Sequence, residues 1–142
     1  MNLPNNVTLH SVNLPASGPF LGLILNVMMR YIDLGGGKTM SKSITFFHRF
    51  AETVKFAFAN RQLVGDPIFE PGLSQLLSYF SSESFSLRIM DKIDDSKTHN
   101  DPKYYFDSGP SVKLTREDHG TAAMSVIDHD GNAVSVGSTI NA

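Results

Sequence analysis

Apolar residues recur along this chain in three rhythms, and each predicts a different element. Over residues 43–63, Phe47, Phe50, Val54 and Phe58 return at spacings of three and four, with Ala51 and Ala57 beside them. That is the period of an α-helix, and it predicts a helix packed through its phenylalanine stripe. Arg49, Glu52, Lys55 and Arg61 fall largely elsewhere and read as a solvated face. A ligand groove along the stripe and a partner surface along the charges weigh less than core packing and solvation. Phe20 to Tyr31 is mostly apolar, which predicts a buried helix, and Asp33–Gly37 ends it because successive glycines carry high backbone entropy. Gly65-Asp66-Pro67 stops the second helix. Leu73–Phe80 reads as a short third helix. Glu83–Ile93 reads as a fourth, capped by Ser81 or Ser82, with Phe85, Ile89 and Ile93 on one face.

Two stretches have a period of two or none. Residues 1–16 hold Pro4 and Pro15 around alternating apolar positions and read as extended chain entering a turn at Pro15–Pro19. Residues 94–118 are polar, with Pro102, Gly109 and Pro110, and read as a long loop of the kind that is functional or mobile. Beyond it, Ala122, Met124 and Val126 alternate with Ala123, Ser125 and Ile127. Asp128–Gly131 is a turn signal, and Ala133, Val134 and Val136 lead into Ser138–Asn141. These are two short strands of a β-hairpin. The pattern therefore predicts an α+β chain of three to four helices and one hairpin. A lone hairpin is marginal in water, so it requires sheet partners. The apolar run meets Asn141-Ala142 with no polar tail, as expected of a chain cut from a longer one.

Composition removes several function classes. The 142 residues are 41% hydrophobic and 18% charged, which excludes a disordered tail, and the length suits about one domain. A formal net charge of -2 gives no electrostatic case for nucleic acid. With no cysteine there is no disulfide scaffold, thiolate nucleophile or Cys-based zinc site. The longest apolar run, Pro19–Met29, is too short to span a bilayer, and the first residues lack the basic and apolar regions of a signal peptide. Neither anchor nor signal is expected within these residues. The sequon Asn6-Val7-Thr8 matters only in a lumenal segment. His10, His48, His99, His119 and His129 share no metal-ligand spacing, so no metal is expected. Gly35-Gly36-Gly37-Lys38-Thr39 resembles a phosphate loop superficially but lacks its spacing and the preceding strand.

The informative chemistry lies at Asp118-His119-Gly120-Thr121, where a long polar loop meets the first strand. An N-terminal nucleophile enzyme needs this layout before processing. The Thr hydroxyl attacks the preceding carbonyl, an N-to-O acyl shift follows, and hydrolysis frees the Thr amine. Glycine before the threonine allows the backbone to distort at low steric cost. The freed α-amine, with a pKa of about 8, can then act as base for the hydroxyl. Gly-Thr at a strand start is common, and alone it reads as ordinary structure.

The wider string is more specific. Asp118-His-Gly-Thr121 through Asp128-His-Asp-Gly131 to Ser138-Thr-Ile-Asn141 resembles the processing junction of the γ-glutamyltransferases, also called γ-glutamyl transpeptidases or glutathione hydrolases. Upstream, Pro15-Ala-Ser-Gly18 with Leu23-Ile-Leu-Asn26, His48-Arg-Phe50, Glu52, Lys55-Phe-Ala57 and Gly65-Asp-Pro67 resemble the family's preceding segments in order. The resemblance implies the αββα N-terminal nucleophile hydrolase fold, here as an incomplete piece. Residues 1–120 would end the large subunit and 121–142 would begin the small one. It implies autocleavage at Gly120–Thr121, Thr121 as nucleophile, Thr139 as the threonine that orients it, and Asn141 as a contact to the α-amino end of the glutamyl group. It further implies glutathione and other γ-glutamyl donors as substrates, and amino acids, dipeptides or water as acceptors. No cofactor is implied. The implied partners are the remaining parts of both subunits, and the implied location is the extracellular face of the plasma membrane, or a secreted or periplasmic one. Pro19 and Gly137 depart from the family's usual residues. The family's carboxylate-binding arginine, acidic pair, paired serines and oxyanion glycines fall outside residues 1–142. The 142 residues alone are therefore expected to be inactive. The alternatives are a non-catalytic helical interaction domain and a pseudoenzyme remnant.

Overall fold

The computed structural model describes residues 1–32, 44–106 and 122–138. Two compact units are present, Met1–Val112 and Lys113–Ala142. The first is helical. Helix α1 spans Gly18–Tyr31, α2 Ile44–Arg61, α3 Leu73–Phe80 and α4 Glu83–Lys92. Single 3-10 turns occupy Pro4–Asn6 and Pro102–Tyr105. The second unit contains strands β1, Ala122–Ile127, and β2, Ala133–Ser138, paired antiparallel.

Helix α1 is the centre of the first unit and packs against α2, α3 and α4. Phe20, Leu23, Val27 and Tyr31 recur at spacings of three and four and are all buried. The helix begins two residues earlier than its apolar run predicts, because Pro19 sits in the first turn, where a missing N–H costs nothing. At Gly18 the chain crosses close to the N-terminal segment: a β-carbon there would lie 1.8 Å from the Val12 carbonyl oxygen. Phe80 and Phe85 join the core on the far side of α1, with ring centroids 5.2 Å apart. The predicted cap of α4 is Ser82, whose hydroxyl accepts from the Phe85 N–H at 3.2 Å. Replacing Ser82 by alanine is expected to cost about 1 kcal/mol, read as a lowered denaturation midpoint at unchanged slope.

Helix α2 forms where its period places it but turns the opposite face inward. Phe47, Phe50 and Phe58, expected in the core, are 61%, 44% and 58% exposed. The buried residues are Glu52, Thr53, Phe56, Ala57, Ala59 and Asn60, centred on the far side of the helix. The expected solvated face is also corrected, since it contains buried Glu52. The physical reason is that the polar face finds partners. His48, Arg49, Glu52, Lys55, Phe56 and Asn60 all meet the segment after α4, which reads from composition as loop. Residues 94–106 of that loop are thus docked chain. The helix end at Asp33–Gly37, the glycine-lysine stretch 35–39 and loop residues 107–118 lie outside the described residues.

The N-terminal segment is less extended than its alternation implies. Asn2 bridges Thr8 across a tight turn in which Asn5 and Asn6 both take positive φ. Among the described residues no helix is long and apolar enough to cross a membrane.

Candidate functional site

The predicted site residues flank the hairpin. Gly120 and Thr121 precede β1, Thr139 and Asn141 follow β2, and all four lie outside the described residues. What the structure describes is the frame between them. Its register pairs Ala122 with Ser138, Met124 with Val136, Val126 with Val134 and Ile127 with Ala133. Met124, Val126, Val134 and Val136 therefore share one face, and Ala123, Ser125, Ile127, Ala133, Ser135 and Gly137 share the other. The second face is joined by a cross-strand contact between the Ser125 and Ser135 hydroxyls at 2.8 Å.

Asp128 fixes that register. Its Oδ1 accepts the backbone N–H groups of Asp130, at 2.9 Å, and Asn132, at 2.8 Å. Its Oδ2 accepts the Asn132 carboxamide at 2.8 Å. Gly131 takes φ +85°, a conformation that side chains disfavour. The Asn132 side chain, together with these N–H groups, holds the Asp128 carboxyl below its ordinary value. A five-residue loop closed in this way sets which residues face each other along the ladder.

A second polar constellation lies in the helical unit, and the sequence pattern missed it. The Glu52 carboxylate is 2% exposed. Its Oε1 accepts from Lys55 Nζ at 2.8 Å and from the Thr98 hydroxyl at 2.6 Å, while Oε2 accepts from the Tyr105 hydroxyl at 2.8 Å. Burial pushes the Glu52 carboxyl up, but donation from Lys55, Thr98 and Tyr105 outweighs it and leaves the pKa below 4.5. Nearby, Arg49 forks onto Asp95 at 2.8 and 2.5 Å and lies over the Tyr31 ring, 4.4 Å from its centroid. Donation from Arg49 holds Asp95 low, and burial pushes the Tyr31 hydroxyl up to about 12. The one available signal was a Glu-Lys pair at i, i+3 opposite a phenylalanine stripe, which is also how a solvated face reads.

Glu52 and Asp95 give the fold a defined acid response. Both are more acidic folded than unfolded, so their contribution is complete above the unfolded carboxylate range and is lost as the pH falls below it. The melting temperature is expected to decline between about pH 5 and pH 3. A Glu52→Gln/Asp95→Asn variant should show a shallower decline, and an equal slope in both proteins would remove these two groups as its source.

No group of three His, Asp or Glu able to hold a metal ion occurs among the described residues. His48 meets the Asp94 carbonyl at 2.9 Å, His99 stacks on Tyr104 and His129 lies beside Asp130. An open cavity of about 460 Å³ lies among the N-terminal segment, the start of α1 and α3, lined by Ser11, Asn13, Gly18, Ser74, Ser78 and Ser81 among others. None of its lining side chains is acidic, basic or cationic, so none can activate these hydroxyls.

Comparison with known proteins decides the family. Residues 2–142 match the profile described as Gamma-glutamyltranspeptidase. The chain belongs to the γ-glutamyltranspeptidase family. Glutathione hydrolase 2 of Arabidopsis thaliana is 39% identical over 126 residues, covering 89% of this chain and 20% of the plant protein. Scoloptoxin SSD14 of Scolopendra dehaani is 35% identical over 141 residues, covering 99% of this chain and 23% of the toxin. Glutathione hydrolase 5 proenzyme of Mus musculus is 33% identical over 142 residues, covering 96% and 23% respectively. The chain thus spans about a fifth of the length of the curated relatives it matches. As an α+β piece with four described helices and a two-stranded hairpin, it is consistent with a part of such a protein.

Proposed function

We propose that this chain carries the processing junction of a γ-glutamyl hydrolase or transferase, with Thr121 as the nucleophile. Residues 1–120 belong to the large subunit and residues 121–142 open the small one, as parts of an αββα N-terminal nucleophile hydrolase. What supports the reading is the family match over residues 2–142 together with the string that runs from Gly120-Thr121 to Ser138-Thr139-Ile140-Asn141. The described hairpin, Ala122–Ile127 paired with Ala133–Ser138, lies between the two ends of that string in the sequence. Thr139 takes the part of the threonine that orients the nucleophile, and Asn141 that of the contact to the α-amino end of the glutamyl group. The faces are chemically unequal, which supports the assignment. The odd-numbered face carries Ala123, Ser125, Ala133, Ser135 and Gly137, with Ile127 at the turn end, and so is mostly small side chains.

The chemistry proceeds in two stages. In maturation, Thr121 Oγ1 attacks the Gly120 carbonyl carbon, its proton passing to a base, and the C–N bond breaks as the nitrogen takes up a proton, leaving an ester and a free Thr121 amine. Water then cleaves the ester, giving the Gly120 carboxylate and the free Thr121 hydroxyl. In turnover, that amine takes the hydroxyl proton as Oγ1 attacks the γ-glutamyl amide. The leaving amine departs protonated, and a γ-glutamyl ester remains until water or an acceptor amine displaces it. The substrates are glutathione and related γ-glutamyl compounds, and no metal or cofactor takes part. The parent acts at the cell exterior or in a secreted compartment.

Intact mass distinguishes this reading from a purely structural hairpin. The 142-residue chain is expected to remain whole and inactive on a γ-glutamyl anilide, since by the family resemblance the oxyanion glycines fall outside residues 1–142, and each such donor is worth about 10²–10³ in rate. Substituted for the matching stretch of the Arabidopsis relative, it is expected to split before Thr121. A chimaera that folds but stays one chain overturns the proposal.

A further inference from the structure

We infer that the exposed aromatic face of α2 is the seat of an apolar layer supplied by the rest of a family-length polypeptide. Ile44, Phe47, Phe50 and Phe58 lie along one side of the helix, with Ala51 and half-buried Val54 between them. The stripe is about 20 Å long at 1.5 Å per residue. Its one charge, Arg61 at the far end, lies over the Phe58 ring, 5.9 Å from its centroid, so the rest of the stripe presents only aromatic and aliphatic surface. Water is not the natural covering of a stripe that carries three phenylalanines. Nor can α2 roll to bury it, because the opposite face is already committed. Glu52, Thr53, Phe56 and Asn60 are buried there, and Glu52 and Asn60 hold the 98–105 segment by hydrogen bonds.

The identity of the occupant follows from size and length. One helix stripe about 20 Å by 10 Å offers far less than the roughly 800 Å² per partner of a stable interface between separate molecules. A second copy of the chain is thereby disfavoured. Covalently continuous chain pays no translational and rotational cost of association, so a small apolar stripe suffices to seat it. The relatives are four to five times as long as the stretch they share with this chain. The surface complementary to α2 is accordingly a helix or strand face of aliphatic and aromatic residues from that remainder. This inference rests on family membership and length, and it stands whether or not Thr121 is the nucleophile.

The test is a triple variant, Phe47→Gln/Phe50→Gln/Phe58→Gln, which keeps good helix formers on α2. In the 142-residue chain the variant is expected to lose binding of a hydrophobic dye, with the melting temperature unchanged or raised and the chain monomeric throughout. In the chimaera with the Arabidopsis relative, the same substitutions are expected to lower the melting temperature by several degrees, since buried phenylalanines are then lost. A fall in melting temperature of the isolated variant means that the chain covers the stripe itself and overturns the inference. So does a dimeric wild-type chain that the substitutions render monomeric, and so does a chimaera indifferent to them. Melting is read without reference to catalysis, so an inactive but folded chimaera refutes only the role of Thr121.

Discussion

Thr121→Ala, introduced into a family-length chimaera carrying these residues, is expected to leave a single uncleaved polypeptide without γ-glutamyl hydrolase activity. Removing a nucleophile that also generates its own base eliminates both covalent steps, so the loss is expected to reach about 10⁴-fold or more in kcat. Thr121→Ser separates the hydroxyl from the side chain that carries it. The serine variant retains an attacking oxygen and is expected to cleave and turn over, more slowly. Thr139→Ala tests the orienting role. If Thr139 only orients the Thr121 hydroxyl, kcat falls by about 10²-fold, the scale expected of a misplaced reacting atom, while KM changes little. Asn141→Ala should act chiefly on KM, because a contact to the distant α-amino group binds ground state and transition state alike. Activity that survives Thr121→Ala, or cleavage that persists before residue 121, refutes the assignment. The two substitutions at 139 and 141 then show whether those residues still serve a nucleophile elsewhere in the chain.

Elements were easier to read from this sequence than the faces they present. Each described α-helix lies within two residues of its predicted start, and α2 ends within two residues of its predicted stop, because Pro19, Gly65-Asp66-Pro67 and Ser82 act locally on the backbone. The hairpin was equally legible, since Asp128 and Gly131 are turn residues whose roles are satisfied within five positions. The inward face of α2 was not legible. Hydrophobic periodicity reports which side of a helix is apolar, and that equals the buried side only when the chain supplies the cover. Here the polar side is covered by residues 94–106, whose anchoring groups are dispersed. Asp94 offers a carbonyl, Asp95 a carboxylate, Thr98 a hydroxyl and Tyr105 both a ring and a hydroxyl. None of these forms a periodic pattern. The candidate site was legible only as a string of residue types around Gly120-Thr121. The register of the hairpin that follows was not legible, because pairing across strands is a non-local property that turn and strand signals do not encode.

Glu52→Ala is expected to be the most damaging single substitution in the helical unit outside its apolar core. The carboxylate accepts three donors from a position 2% exposed, and two of them, Thr98 and Tyr105, belong to the docked segment. Its removal leaves the Tyr105 hydroxyl buried against α2 and a cavity beside the T-shaped contact of Phe56 with Tyr105, whose centroids lie 5.0 Å apart. Losing the carboxylate removes its hydrogen bonds and leaves a cavity, which together cost about 2 kcal/mol, or roughly 8 °C of melting temperature for a unit of this size. Lys55 is 41% exposed and can return to water, and the Tyr105 hydroxyl can donate to the His99 carbonyl at 3.0 Å, so the penalty falls on the cavity and the lost tie to Thr98 rather than on an orphaned group. That division orders the variants. Glu52→Gln keeps the volume and one acceptor and should cost distinctly less than alanine. Tyr105→Phe keeps the ring packing and should cost about 1 kcal/mol. Because Glu52 and Tyr105 touch directly, the double variant Glu52→Ala/Tyr105→Phe should be less destabilised than the two single losses predict. Additive losses would show that the carboxylate supports α2 through some other contact. The same substitution should raise amide exchange at His99, whose N–H is held by the Tyr105 hydroxyl at 3.1 Å, before it affects α1. The acid response has the same origin: protonating Glu52 removes its charge from Lys55 and one acceptor from Thr98 or Tyr105, so mild acid should loosen residues 98–105 first.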